Sequence, residues 1–243
     1  MREWMGKRYW LVGASEGLGA ALAEKLSACG VHVILSARNA DRLAEVAERL
    51  PGPSTVVPMD VTDSASVQAA VATVGEVDGI VYLAGAYWPM PAGDWRVEDG
   101  VQMADINLTG AMRVLGHVVP GMVARDSGHV VITGSLGGFR GLKNSVGYGA
   151  SKAGTMVLAE SLYADLWRTG VKVQLSNPGF IRTRLTDKND FKMPFLMEPE
   201  QAALHMFEHM CTDRFKHSFP RVFSWVFRVS QFFPDWLYYR LFA

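Results

Sequence analysis

Residues 9–19 have the sequence YWLVGASEGLG, and this stretch decides the fold. It opens with a short apolar run, Tyr9 to Val12, which is typical of a buried strand. A turn with glycines at positions 13, 17 and 19 follows, and a helical pattern then runs from about Gly17 to Cys29. This order of strand, glycine turn and helix is the first unit of an alternation that continues along the chain.

The alternation continues as far as Met210. Five further apolar runs predict strands at Val31–Leu35, Thr55–Val57, Ile80–Leu83, His129–Thr133 and Val171–Leu175. Helical patterns separate these runs, and the last clear helix covers Pro199–Met210. Continuous apolar strands that alternate with helices predict an α/β fold whose parallel sheet is covered on both faces. Right-handed crossovers make this a doubly wound, Rossmann-like three-layer sandwich.

The composition limits the class of protein. The 243 residues contain 24 Lys and Arg against 24 Asp and Glu, so the formal net charge is zero and no nucleic-acid partner is expected. Hydrophobic residues make up 49% of the chain, which is enough for a full core. The only cysteines, Cys29 and Cys211, exclude a disulfide framework and favour a reducing compartment, so a cytoplasmic location is expected.

The last 25 residues differ from the rest. We expect residues 1–218 to form a single domain and residues 219–243 to form an apolar tail crowded with Phe, Trp, Tyr and Leu. Pro234 interrupts any single helix in this tail, and no run approaches the ~20 apolar residues of a transmembrane span. Three arrangements remain open: packing on the domain or its pocket, contact between subunits, or contact with a membrane surface.

The glycine turn has the features of a phosphate site. Glycines let the backbone turn tightly and approach a pyrophosphate, and the start of the following helix supplies free N–H groups and a positive dipole end. The glycine spacing departs from the G-x-G-x-x-G pattern of dinucleotide sites. A turn that only joins a strand to a helix is therefore the alternative interpretation.

The end of the second strand indicates which dinucleotide binds. An acidic residue there would bind a ribose 2′-OH, whereas an arginine accommodates a 2′-phosphate. The chain has Ser36-Ala37-Arg38-Asn39, with no acid. Arg38 is placed to bind the phosphate and Ser15 to add a hydroxyl donor, so NADP(H) is favoured, with NAD(H) possible. The alternative is that Arg38 is a solvated surface charge.

Tyr148 and Lys152 stand four positions apart at the start of a predicted helix, on one of its faces. A neighbouring ammonium stabilises a phenolate, so we expect Lys152 to lower the pKa of Tyr148 and make it a workable acid and base. Ser135 ends the preceding strand and can hydrogen-bond a substrate carbonyl. A pair of this spacing is by itself weak, because any amphipathic helix can carry one.

The combination of motifs is specific. They occur in one order, each at a matching strand end, and together they closely resemble the short-chain dehydrogenase/reductase family over roughly Lys7 to Thr183. The resemblance is carried by Gly13, Gly17, Gly19, Asp60-Val61, Ala84-Gly85, Asn107, Ser135, Tyr148, Lys152 and Asn177-Pro178-Gly179.

The resemblance implies a cofactor site spread over several loops. In that family the glycine turn binds the pyrophosphate and an Asp-Val pair binds the adenine. An Ala-Gly pair lines the ribose and the nicotinamide side, and the segment after Pro-Gly binds the carboxamide. The residues expected to bind the cofactor are Gly13, Ser15, Gly17, Leu18, Gly19, Arg38, Asp60, Val61, Ala84, Gly85, Tyr148, Lys152, Pro178, Gly179, Ile181 and Thr183.

The resemblance also implies four catalytic roles. Tyr148 would be the acid/base and Ser135 would polarise the carbonyl. Lys152 would bind the nicotinamide ribose and tune Tyr148, and Asn107, at a helix bend, would hold a water that links Lys152 to solvent. No metal is expected, since the H-x-x-E-H pattern at His205–His209 lacks a third ligand of fitting context.

Two positions depart from the family pattern. Val12 stands where the family usually has Thr, and Tyr82-Leu83 stands where it usually has Asn-Asn. These polar groups brace the centre of the sheet in the family. Since both sides of the brace have become apolar together, we expect a repacked brace and an intact site.

The function expected from these features is an NADP(H)-dependent oxidoreductase that interconverts a carbonyl and an alcohol. The loops at the strand ends predict an apolar pocket for a largely apolar substrate, and residues 180–197 are a candidate lid. The apolar side chains expected to line this pocket are Trp88, Met90, Phe139, Leu142, Phe180, Phe191, Met193 and Phe195. The resemblance implies a homodimer or homotetramer built on the helices from Val101 and from Tyr148. A dinucleotide-binding sensor or scaffold without turnover is the alternative, and an epimerase on the same fold is disfavoured because the chain lacks length for its extra domain.

Overall fold

The computed structural model describes residues 3–242, which form a seven-stranded parallel sheet with helices on both faces. The strands are β1 (Arg8–Val12), β2 (His32–Ser36), β3 (Ser54–Val56), β4 (Gly79–Tyr82), β5 (Gly128–Thr133), β6 (Val171–Pro178) and β7 (Lys216–Phe219). The helices are α1 (Gly17–Ala28), α2 (Ala40–Glu48), α3 (Ser64–Val74), α4 (Val97–Ala104), α5 (Gly110–Ala124), α6 (Val146–Leu166), α7 (Pro199–Met210), α8 (Arg221–Ser230) and α9 (Asp235–Phe242).

The strand order is β3-β2-β1-β4-β5-β6-β7, and every pair is parallel. The order reverses between β1 and β4, which is where a doubly wound sheet opens a crevice at its carboxyl edge. This confirms the predicted Rossmann-like α/β class.

Side chains alternate between two apolar cores, as the period of a strand requires. Trp10 and Val12 point into a core with the residues of α3, α5 and α6, whereas Tyr9 and Leu11 point into a core with α1, α2 and α7. Burial on both faces is the reason that these strands have continuous apolar runs.

The structure corrects the predicted sheet at one edge. β7 was not predicted, and β6 continues to Pro178 instead of ending near Leu175. The sequence of β7 is KHSF, and only Phe219 of its four residues is buried. A short, polar edge strand has no apolar run, so its pairing with β6 left no pattern in the sequence.

The two histidines of the α7 pattern lie in different environments, since His209 is buried and the His205 side chain is 42% exposed. The Nδ1 atom of His209 lies 2.9 Å from Ser176 Oγ, and its Nε2 atom lies 2.8 Å from the carbonyl oxygen of Arg214. Within residues 3–242, no three His, Cys, Asp or Glu side chains are grouped closely enough to hold a metal ion.

The tail forms two helices, α8 and α9, that are separated by Pro234. Arg140 fastens them to the domain: it donates to the carbonyl oxygens of Ser230 (2.9 Å) and Phe233 (2.8 Å) and pairs with Asp235. Its guanidinium also lies 4.0 Å from the centre of the Tyr238 ring. One face of the tail therefore packs on the domain. None of the helices in the described part of the chain is long and apolar enough to cross a membrane.

Candidate active site

A cleft of about 1240 Å³ lies at the carboxyl edge of the sheet. It brings together nearly all of the predicted site residues, although they come from loops far apart in the sequence. Those that line it are Gly13, Ser15, Gly17, Leu18, Gly19, Arg38, Asp60, Val61, Ala84, Gly85, Ser135, Tyr148, Lys152, Pro178, Gly179, Ile181 and Thr183. Asn107 does not line the cleft and is fully buried behind it.

The glycine turn forms a cradle that no side chain could share. Gly13 has a φ of +96°, and a Cβ atom there would lie 2.5 Å from the amide nitrogen of Ala84. A Cβ atom on Gly19 would lie 2.1 Å from the carbonyl oxygen of Gly13. No side chain caps the start of α1, so its first N–H groups face the cradle. Glycine backbone without side chains, next to a helix start with free N–H groups, fits the pyrophosphate of a dinucleotide.

Three arginines surround the outer end of this cradle. Arg42 and Arg184 both bind the carboxylate of Glu16, at 3.3 Å and 2.5 Å, and so neutralise it. Arg38 is exposed on the cleft and has no ion-pair partner within residues 3–242. Glu16 and Arg42 were not predicted as site residues, because only the fold brings them together with Arg184.

The helix bend predicted at Asn107 is a π-helical turn, Asp105–Thr109, between α4 and α5. The turn aims the Asn107 side chain at the loop after β4, where its Oδ1 accepts from the N–H of Ala86 (2.7 Å). Its Nδ2 donates to the carbonyl oxygen of Ala86 (3.0 Å) and to Ser151 Oγ (2.8 Å). The backbone carbonyl of Asn107 accepts from Thr155 Oγ1 (2.9 Å).

Tyr82 supports this turn and corrects the prediction of an apolar brace. Its ring is buried as expected, but its hydroxyl donates to the carbonyl oxygen of Ile106 at 2.6 Å. A Cβ atom on Gly110 would lie 2.8 Å from that hydroxyl, so the glycine leaves room for it. Tyr82 therefore supplies a polar contact where an apolar one was expected, and its hydrogen bond stabilises the π-helical turn next to Asn107. Val12 is buried and apolar, as predicted.

Lys152 is 5% exposed and donates to the carbonyl oxygen of Thr133 at 2.9 Å. Burial disfavours its ammonium form and lowers its pKa to about 8. A lysine near the end of β5 that titrates close to neutrality can exchange a proton under ordinary conditions.

Tyr148 differs from the expectation that Lys152 lowers its pKa. Burial raises the pKa of Tyr148, and the hydrogen bond with Ser135 opposes this only in part. Its ring lies edge-on to Tyr87, with centroids 5.0 Å apart. Lys152 is not among the groups that shift the pKa of Tyr148, so it does not offset the burial of the phenol. Tyr148 is therefore held as the neutral phenol, the form that donates a proton.

The candidate lid closes on itself and on the loop after β4. Phe180 and Arg182 exchange backbone hydrogen bonds with Met197, which brings the two ends of the segment together. Lys188 donates to the carbonyl oxygen of Tyr87 (2.8 Å), and the Tyr87 hydroxyl donates to Asn189 (2.7 Å). Burial raises the pKa of Tyr87 to about 12.

The inner wall of the cleft is aromatic and includes the tail. The apolar side chains that line it are Trp88, Leu142, Phe180, Phe191, Phe223 and Phe227. Phe223 of α8 contacts Phe180 (centroids 5.8 Å apart) and Phe195 (5.5 Å) of the lid. The expected contributors Met90, Phe139, Met193 and Phe195 do not line the cleft, and Met90 is in the core instead. The crowded aromatic sequence of the tail was the signal for Phe223 and Phe227.

Residues 7–193 match the family model described as short chain dehydrogenase. The chain belongs to the short-chain dehydrogenase/reductase family. It is 36% identical over 235 residues to an uncharacterized oxidoreductase of Myxococcus xanthus, a match that covers 94% of this chain and 93% of the relative.

Two solved structures show the shared fold. A short-chain dehydrogenase/reductase from Burkholderia phymatum, solved in complex with NAD, superposes with a TM-score of 0.85 at 23% identity and covers 95% of this chain and 94% of its own. A short-chain dehydrogenase from Sphingobium yanoikuyae, in complex with NADPH, has a TM-score of 0.81 at 24% identity and covers 88% of each chain. This protein is therefore an oxidoreductase of the short-chain dehydrogenase/reductase family with a Rossmann-type NAD(P)-binding fold.

The buried lysine gives a pH-dependent stability that can be measured. The folded-state pKa of Lys152, about 8, lies below its ordinary value of 10.5, so unfolding takes up a proton between these pH values. The free energy of unfolding should then gain up to about 3 kcal/mol from this group as the pH rises from about 8 to 10.5. Urea unfolding of the wild type and of Lys152→Met at several pH values measures it, because the difference between the two removes the other titrating groups. A difference that does not change with pH would contradict a depressed pKa.

Proposed function

We propose that the protein is an NADP(H)-dependent oxidoreductase that interconverts a carbonyl and an alcohol on a largely apolar substrate. The observation that carries the proposal is the position of Ser135, Tyr148 and Lys152 on the same cleft as the glycine cradle. A reacting carbonyl in this cleft would meet a hydroxyl donor, a proton donor and an ammonium together. When bound, the cofactor supplies or accepts the hydride.

In this proposal Tyr148 gives the proton to the substrate oxygen in reduction and takes it back in oxidation. Ser135, whose hydroxyl accepts from the N–H of Gly137 at 3.0 Å on the same cleft, polarises the carbonyl. Lys152 binds the nicotinamide ribose and restores the proton of Tyr148. Its pKa near 8 suits that exchange, and Asn107 would hold the water that links Lys152 to solvent.

The cofactor would lie along the cleft. The cradle would hold the pyrophosphate, and Asp60 and Val61 would hold the adenine. Ala84 and Gly85 would line the ribose and the nicotinamide side. Ile181 and Thr183 would bind the carboxamide. The NADP(H) preference rests on Arg38 and Ser15, since Arg38 is the arginine of the cradle that Glu16 does not occupy.

The aromatic wall of the cleft supports an apolar substrate, because Phe180, Phe223 and Phe227 all line it. The lid (180–197) is proposed to order over the cofactor. Cys29 and Cys211 are both free thiols, which supports the cytoplasm as the proposed location.

Replacing the proposed acid/base should abolish turnover without loss of cofactor binding. Tyr148→Phe removes only the hydroxyl, so kcat for ketone or aldehyde reduction should fall by about 10²- to 10⁴-fold. NADPH binding, measured by fluorescence, should stay within about twofold. Tyr163→Phe, on the same helix but at the surface, is the matched control.

Substantial residual turnover in Tyr148→Phe would contradict the mechanism. If the wild type binds NADPH tightly but reduces no member of a panel of ketones and aldehydes, the protein is instead a dinucleotide sensor or scaffold.

Removing Arg38 should reverse the cofactor preference. Arg38→Ala loses a charge-assisted contact to the 2′-phosphate, so the Kd for NADPH should rise by about 10- to 100-fold while that for NADH stays unchanged. Fluorescence titration with both cofactors measures this. Arg49→Ala, which removes an exposed arginine paired with Glu24 away from the cleft, is the control. Tighter binding of NADH than of NADPH by the wild type would refute the assignment.

We propose a homodimer or homotetramer whose subunits meet through α4, α5 and α6. These helices expose apolar side chains on a surface separate from the cleft, including Val101 (63% exposed) and Val157 (58%).

A charge in the middle of this surface should separate the subunits. Val157→Glu is expected to lower the mass found by sedimentation equilibrium to that of a monomer, 26.7 kDa, because a buried unpaired carboxylate opposes assembly. Val229→Glu places the same change on α8, where it should leave the mass unchanged. A monomeric wild type, or an unchanged mass in Val157→Glu, would contradict this interface.

A further inference from the structure

The tail helix α8 packs one face on the domain and exposes an apolar face on the opposite side. Ser224, Phe227 and Ser230 are buried against the domain. The opposite face carries Val222, Trp225, Val226 and Val229 at helical spacing, and all four are between 44% and 69% exposed. An apolar face that stays exposed on a helix already packed on its other side marks an interaction surface.

The loop after α8 and helix α9 add further exposed apolar side chains. Phe232 is 88% exposed and Trp236 is 70% exposed, and α9 also exposes Leu241 (60%) and part of Tyr239 (51%). Large aromatic side chains in these positions are anchors of the kind that insert at the boundary between headgroups and acyl chains.

The charge of this surface is positive. Its cations are Arg221, Arg228 and Arg240, and none of them has an ion-pair partner among residues 3–242. Asp235 is the one acid of α8 and α9, and its carboxylate is bound to Arg140 of the domain. The Arg228 guanidinium lies 5.2 Å from the centre of the Trp225 ring, so cation and anchor are adjacent.

We propose that α8 and α9 dock the protein onto an anionic lipid bilayer, with the apolar face in the interface and the three arginines at the headgroup phosphates. A second copy of the chain fits this surface less well, because the same surface on a partner would add three further arginines and no acid of α8 or α9 free to pair with them. The docking itself does not depend on the proposed function. Phe223, Val226 and Phe227 of the same helix line the cleft, so the docked tail brings the cleft wall to the lipid surface.

Co-sedimentation of the full chain with lipid vesicles tests the docking without any activity measurement. Wild-type protein should bind vesicles of phosphatidylcholine mixed with phosphatidylglycerol, and bind pure phosphatidylcholine far less. The variant Arg221→Gln/Arg228→Gln/Arg240→Gln should lose about a hundredfold in affinity, or about fivefold for each arginine. Phe232→Ser/Trp236→Ser should lose at least about tenfold.

The controls separate docking from other effects. Trp167→Ser removes another exposed tryptophan that has an arginine, Arg168, over its ring (4.3 Å), and it should bind vesicles as the wild type does. Circular dichroism and the thermal unfolding midpoint of each variant show that the domain is folded. Phe232→Ser alone removes the most exposed side chain of the tail and serves if the double variant does not fold.

Three results would overturn the proposal. These are wild-type protein that ignores anionic vesicles, arginine and aromatic variants that bind as tightly as the wild type, and Trp167→Ser that binds as weakly as they do. A fall in the mass of lipid-free protein in the Phe232→Ser/Trp236→Ser variant would instead assign the tail to a contact between subunits.

Discussion

The contact between Gly13 and Ala84 is the constraint on which the rest of the site depends. β1 and β4 are neighbours at the point where the strand order reverses, and the chain must leave β1 within van der Waals distance of the loop that leaves β4. The N–H groups of Gly13 and Ala14 both donate to the carbonyl oxygen of Ser36, at 2.7 Å and 3.1 Å, which fastens the turn to the end of β2 as well. A side chain at position 13 would push the ends of β1 and β4 apart and so distort the crevice between them.

A second constraint sets the catalytic half of the cleft. The π-helical turn between α4 and α5 directs Asn107 towards the loop after β4, where it occupies both backbone groups of Ala86. The same asparagine binds Ser151, one residue before Lys152 on α6. One amide side chain thus ties the β4 loop to the helix that carries Tyr148 and Lys152. Tyr82 stabilises that arrangement from beneath through its hydrogen bond to Ile106.

The sequence predicted the parts of the molecule in which chemistry restricts the residue type. The strand, turn and helix at residues 9–19 were predictable because glycine is nearly obligatory where backbone must meet backbone. The arrangement of Ser135, Tyr148 and Lys152 could be inferred because parallel strands end at one edge. Arg140 was unpredictable as the anchor of the tail, since its partners are backbone carbonyls that any sequence supplies. The hydroxyl of Tyr82 and the pKa of Tyr148 were misjudged for a related reason, because both depend on which groups are buried nearby.

The tail shows how one helix can serve two environments at once. Phe227 is buried because it packs against the domain. Trp225 and Val229 lie on the far side of the same helix and stay exposed. Because Arg140 already satisfies the carbonyls at the end of α8 and the carboxylate of Asp235, the exposed face is held rigid before any partner arrives. A preformed surface loses little conformational entropy on docking. The apolar excess after Phe219 is therefore organised by the fold into a fixed surface at the wall of the cleft.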